Sequence, residues 1–134
     1  MSTNNVVNRI AIGLEKITTE SIPTKVLNIA KNCIIDTCGV AIAGSTTSSA
    51  KNIHAVVTES FRDGHCTVLG RPNTLNVFGA ALANGVSAHA LDFDDNCYAG
   101  IVHGSAVVLP SVLAVAQDNS SSGNELLYSF IAGL

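Results

Sequence analysis

The stretch that decides the fold is Pro23–Gly44, PTKVLNIAKNCIIDTCGVAIAG. Val26, Leu27, Ala30, Cys33, Ile34, Thr37, Cys38, Ala41 and Ile42 recur at helical spacing and line one side of a helix. Pro23 suits a first helical turn, where its fixed φ helps and its missing N–H leaves nothing unpaired. Gly44 and the Ser/Thr run Ser45–Ser49 end the pattern. Gly39 and Ala43 leave room for another backbone to pack closely. That is a reason to keep a glycine costing about 1 kcal/mol in a helix interior.

Upstream, Val6, Val7, Ile10, Ala11, Leu14 and Ile17 form a shorter helical face, and Thr18–Ile22 breaks it. Downstream, Ala50, Ile53, His54, Val57 and Phe61 predict a third helix over about Ala50–Phe61, closed by the Asp63-Gly64 turn. Cys66-Thr67-Val68-Leu69 reads as one short strand, ended by Gly70-Arg71-Pro72. Thr74 is a candidate cap for a fourth helix carrying Val77, Phe78, Ala81, Leu82, Gly85 and Ala88. Its Ala and Gly content predicts tight surroundings.

Leu91–Gly104 is irregular. Ser105–Ala116 is apolar again, with Pro110 expected to kink a helix or mark its start. Gln117–Gly123 is polar. Leu126, Leu127, Phe130, Ile131 and Leu134 then begin another helix that still runs at the last residue, without cap or terminating Pro. The expectation is therefore a mainly α, all-α-class chain of five to seven helices with at most one short strand. It reads as one partial domain over residues 1–134, a fragment of a longer fold.

Composition narrows the function. Of 134 residues, 47% are hydrophobic and 13% charged, so the chain is no disordered tail and has little charge to cover a surface. The net charge of −3, without a Lys/Arg run, excludes a nucleic-acid partner on electrostatic grounds. Apolar stretches are interrupted by Asp36, Pro110 or glycines, so no membrane span is expected. Met1–Asn8 lacks a signal-peptide core. The four cysteines, Cys33, Cys38, Cys66 and Cys97, form no C-x-x-C and read as reduced core residues in a cytoplasmic setting.

The chemistry concentrates in His89-Ala90-Leu91-Asp92-Phe93-Asp94-Asp95-Asn96 and His103. Three carboxylates and two imidazoles fall within fifteen positions of a charge-poor chain. Carboxylates beside imidazoles are what proton transfer next to a carbonyl requires. The plainer alternative is an acidic loop in which Asp92 caps a helix end and His89 is a core histidine. A calcium loop fails, because Cys97 and His103 stand where Gly and Glu are needed. A transition-metal site on His89, Asp92 and His103 has no diagnostic spacing, and no metal is assigned. Cys97 with His103 makes a poor nucleophile pair, since Cys97 lies among acids. His54 reads as structural and His65 as exposed. No phosphate-cradling glycine motif occurs.

Several strings in order resemble the MmgE/PrpD family, which includes 2-methylcitrate dehydratases and cis-aconitate decarboxylases. They are Ile35-Asp36-Thr37-Cys38-Gly39-Val40, Ala43-Gly44-Ser45, Thr67-Val68-Leu69-Gly70-Arg71 and Ala80-Ala81-Leu82-Ala83-Asn84-Gly85. His89-Ala90-Leu91-Asp92-Phe93-Asp94-Asp95, His103, Ala106-Val107-Val108-Leu109-Pro110 and Ser122-Gly123-Asn124-Glu125-Leu126-Leu127 complete the series. The resemblance implies the first part of a helical domain, with an inserted lid domain absent. It also implies a homodimer, no cofactor, and lyase chemistry on a small di- or tricarboxylate. The chain alone is expected to be inactive.

Matched position by position, the resemblance makes Asp92 and His103 the catalytic residues and Asn96 a substrate-binding residue. His89 and Asp95 become their supports. Asn96 stands where many members have Thr, Gly104 where many have Pro, and the intervening loop differs by about one residue. These departures bear on the substrate rather than on the family. The loop offers no Lys or Arg for substrate carboxylates, so those must come from elsewhere. A 2-methylcitrate dehydratase-like activity is expected first. A cis-aconitate decarboxylase or iminodisuccinate epimerase and a non-catalytic dimerisation module are the alternatives.

Overall fold

The computed structural model describes residues 5–15, 17 and 22–134. Thr18–Ser21, most of the expected break after the first helix, lie outside the described residues. Among the described residues the chain forms α1 (Val6–Glu15), α2 (Thr24–Gly44), α3 (Ser48–Ser60), β1 (Cys66–Thr67), β2 (Thr74–Leu75), α4 (Val77–His89), α5 (Gly104–Asp118) and α6 (Gly123–Gly133). The mainly α reading holds. The single strand becomes two, because Cys66 pairs with Leu75 and Thr67 with Thr74 in an antiparallel ribbon. Gly70, at φ 77°, makes the tight return between them; a side chain there would collide with Ser45.

Thr74 therefore sits in a strand and does not cap α4. Asn76 does, its side chain accepting from Gly79 N–H at 3.1 Å. Thr47 caps α3 in the same way. Pro110 neither starts nor ends α5. It lies buried inside the helix and faces Gly85.

Helix α4 is the hub, packed against α2, α3, α5 and the ribbon. Its buried face is Gly79, Ala80, Ala83, Asn84, Ser87 and Ala88. The bulky residues of the helix point elsewhere: Phe78 is 74% exposed and Leu82 is also exposed. Small side chains face inward because the neighbouring helices come close. The α2 contact is made at Gly44, where an added Cβ would strike the Ser87 carbonyl. Gly39, expected to serve that purpose, has nothing within 4 Å, and Ala43 is exposed.

Three apolar clusters fill the interior. Val57, Cys66, Val68, Leu75, Ala80, Ala83 and Ala114 join α3, the ribbon, α4 and α5. Ala30, Leu109, Leu127 and Phe130 join α2, α5 and α6. Ala41, Ala88 and Ala106 fill the α2–α4–α5 junction. Buried Asn84 stitches the first cluster, accepting from Leu69 N–H at 2.8 Å and donating to the Thr67 carbonyl at 2.9 Å. Helix α1 buries none of its residues.

Helix α2 corrects the membrane argument from sequence. By length and composition it can cross a bilayer, at mean hydropathy 1.4. Here α2 packs against α4, α5 and α6 through Ala30, Thr37, Ala41 and Gly44.

Candidate active site

The site is built where α4 ends and α5 begins. His89 is the last residue of α4 and His103 immediately precedes α5. The intervening chain must bring two helix ends together, and two residues do this with left-handed backbone: Asp92 (φ 54°) and Ile101 (φ 51°). Asp tolerates this region better than most residues, whereas a β-branched Ile there is a strained exception. A backbone bridge between Cys97 and Val102 closes the loop tip.

Asp95 secures the second helix. Ser105 gives its backbone N–H (3.0 Å) to one oxygen of Asp95 and its hydroxyl to the other. His103, in the cap position, makes no side-chain cap bond, so Asp95 supplies the acceptor that the first turn of α5 needs. Asp95 braces the loop and is absent from the set that surrounds the imidazoles.

That set is His89, Asp92, Asp94 and His103. Asp94 is its centre, with a side chain 0% exposed. His89 Nδ1 lies 3.2 and 3.1 Å from the two Asp94 oxygens. His103 Nδ1 lies 3.2 Å from Asp94 Oδ2. This second contact has ion-pair distance without hydrogen-bond alignment, and the nitrogen is buried with no other partner. His103 Nε2 faces Asp92 Oδ1 at 3.8 Å, across to a carboxylate that is 79% exposed. The two rings meet edge to face at 4.7 Å.

Of the residues singled out from sequence, Asp92, His103 and His89 therefore come together. Asn96 is exposed on the loop and outside the set. Asp94 was missed, although a charged residue flanked by two other acids in a charge-poor chain was the available signal. The plainer reading of the cluster is not what forms. The backbone of Ala90 ends α4, Asp92 points to His103, and the His89 side chain is 56% exposed. Ligand atoms of the four residues lie within 4.8 Å of one another, a spacing that suits a cation as well as shared protons.

Outside the set, His54 bonds Asn73 at 2.9 Å and exposed His65 meets the Gln117 carbonyl, as expected of structural and surface histidines. Burial pushes the thiols of Cys33, Cys38 and Cys66 up, which keeps them protonated and inert. Cys97 is exposed on the loop and is no core residue.

The two histidines stand at one end of a groove of about 1050 Å³ between α4 and α5. Its walls are apolar, with Phe78, Leu82, Val86, Val107 and Val115 among them. A few convergent polar groups at the end of an apolar concavity are the usual makings of a small-molecule site.

Comparison with known proteins gives this geometry a context. The MmgE/PrpD N-terminal domain matches residues 8–134. The chain belongs to this family. It is 30% identical to a cis-aconitate decarboxylase of Aspergillus terreus over 97% of its length, which is 28% of that protein. It is 32% identical to the cis-aconitate decarboxylase of Homo sapiens over 82% of its length, 24% of that protein. A cis-aconitate decarboxylase-like protein of Aspergillus oryzae is 25% identical over 96% of the chain and 28% of that relative. The chain thus spans about a quarter of the length of the curated relatives it matches, and membership of a lyase family follows.

Proposed function

We propose that this chain supplies the Asp92–His103 proton-transfer pair of a lyase acting on a small di- or tricarboxylate. The observation that carries the reading is His103, which faces buried Asp94 through one ring nitrogen and exposed Asp92 through the other, at the end of the groove. In a decarboxylation, CO₂ leaves, its bonding electrons stay on carbon, and a proton must be delivered there. In a dehydration, a proton is removed next to a carboxylate as hydroxide departs. Both need a group holding a proton at one defined place.

The names of the relatives move the expected order: decarboxylation of cis-aconitate or a close analogue comes first, 2-methylcitrate dehydration second and iminodisuccinate epimerisation third. Among the described residues every ion pair is between His and Asp. The substrate carboxylates therefore call for Lys or Arg from outside this cluster. Asn96, exposed on the same loop, is proposed to hydrogen-bond the substrate. The homodimer, the absence of a cofactor and a cytoplasmic setting belong to the same proposal.

Turnover of the three acids, followed by proton NMR, tests it. The assay uses this chain and a version extended C-terminally to the length of the cis-aconitate decarboxylases it matches. Activity is expected in the longer version, with Asp92→Ala and His103→Ala each lowering turnover about 10²-fold or more. Near-normal turnover in either variant removes that residue from the mechanism. No turnover by either version counts against the lyase reading and favours a non-catalytic helical module.

A further inference from the structure

The two imidazoles present the same nitrogen to the same group. His89 Nδ1 and His103 Nδ1 both lie within 3.2 Å of Asp94, whose side chain is sealed from solvent. An ionised carboxylate only accepts hydrogen bonds, so a nitrogen held against it is stable only as a donor. A histidine left to itself in water favours the form with its proton on Nε2. Two such rings would aim two lone pairs at Asp94, in a place where water cannot screen the repulsion.

We propose that Asp94 is the positioning residue of this site, fixing both histidines with Nδ1–H directed inward and Nε2 of His103 directed at Asp92. The inference deepens the lyase reading and rests on it for its catalytic consequence. The two carboxylates then have separate work. Asp94 holds a proton that does not move, on the buried side of the ring. Nε2 of His103 then carries the lone pair and Asp92 faces it at 3.8 Å from the solvent side, so the proton the reaction moves is one that Nε2 takes up, or that Asp92 gives when protonated. The buried carboxylate orients the ring while the exposed one is reachable from the groove. The same division lets a triad aspartate govern tautomer without itself taking up the proton.

The titratable side chains facing each ring are Asp94 and the other imidazole, with Asp92 at His103; Asp95 is engaged by Ser105. Nδ1 of His103 is buried and its contact with Asp94 is at ion-pair distance without hydrogen-bond alignment, so the placement of its proton rests on that charge contact.

Imidazole ¹⁵N NMR of the protein reads the tautomers directly, with no need for a variant to fold. Nδ1–H on both His89 and His103 is expected. An Nε2–H tautomer on either ring overturns the proposal. Asp94→Asn keeps the size but replaces one acceptor oxygen with a donor, so at least one ring should switch tautomer. In the active version its kcat should fall about 10²-fold with KM changed little, since orientation and not substrate contact is lost. Unchanged kcat with the expected tautomers overturns the positioning role. Turnover lost on dialysis against a chelator and restored by a divalent cation also overturns it, by making the four groups ligands. Expected tautomers in a protein that turns over none of the three acids support the proton placement and defeat the lyase reading instead, so the two failures are distinguishable.

Discussion

The two sides of α4 are made of opposite materials. Toward the ribbon and α3 the helix presents Gly79, Ala80 and Ala83, with Asn84 bonded on both of its polar ends. Toward the groove it presents Phe78 and Leu82, exposed to solvent. The closed side gains stability from close approach, where small residues let neighbours contact backbone. The open side carries more apolar area and buries little of it. Size alone therefore does not decide which face of a helix is inside: the closest packing takes the smallest residues.

The comparison breaks most directly with one substitution on each side. Leu75→Ala removes a fully buried side chain from the closed side and should cost roughly 2–5 kcal/mol in denaturant unfolding. Phe78→Ala, although it deletes a larger side chain, should change stability by no more than about 0.5 kcal/mol, because the ring is mostly in water already. Equal losses would mean that the groove side is covered in solution, and the contrast between the two sides would disappear.

Asn84→Ala sharpens the same contrast with a smaller effect. The amide satisfies Leu69 N–H and the Thr67 carbonyl where the ribbon meets α4. Its removal leaves both groups without partners and should cost roughly 1–3 kcal/mol. Hydrogen exchange at the Leu69 amide should accelerate more than exchange in α6. Uniform acceleration would show that Asn84 adds only general stability and does not hold the ribbon.

The helices were legible because their signals are local. The spacing from Val26 to Ile42 gave α2, and the spacing from Leu126 to Ile131 gave α6. What was not legible depended on approach between distant segments. Gly44 and Gly39 look alike in sequence, and only the path of α4 past Ser87 makes Gly44 the contact. The second strand escaped because Thr74-Leu75 has no alternation of its own and exists by pairing with Cys66-Thr67. In the site, Asp92 and His103 were placed through resemblance, and they do come together. Asp94 was passed over because the spacing of Asp92, Asp94 and Asp95 says nothing about which acid turns inward. That choice follows from the left-handed backbone at Asp92 and from Ser105 drawing Asp95 away.

The smallest expected effect lies away from both sides of α4 and serves as their control. Ser122 and Glu125 cap α6 reciprocally: Ser122 accepts from Glu125 N–H at 3.3 Å, and Glu125 accepts from Ser122 N–H at 2.7 Å. The Ser122 backbone N–H, and after it the Ser122 side chain, hold the Glu125 carboxyl below its ordinary value of 4.5. A depressed folded-state value contributes stability above the unfolded value, and that contribution is lost as pH falls through the folded one. Wild type should therefore lose a small increment of stability below about pH 4.5, and Glu125→Gln, which keeps an acceptor but no charge, should lose less. Ser122→Ala should cost about 1 kcal/mol at neutral pH. If Glu125→Gln keeps the whole acid loss, the capping carboxylate is not its source. The loss must then come from elsewhere in the fold.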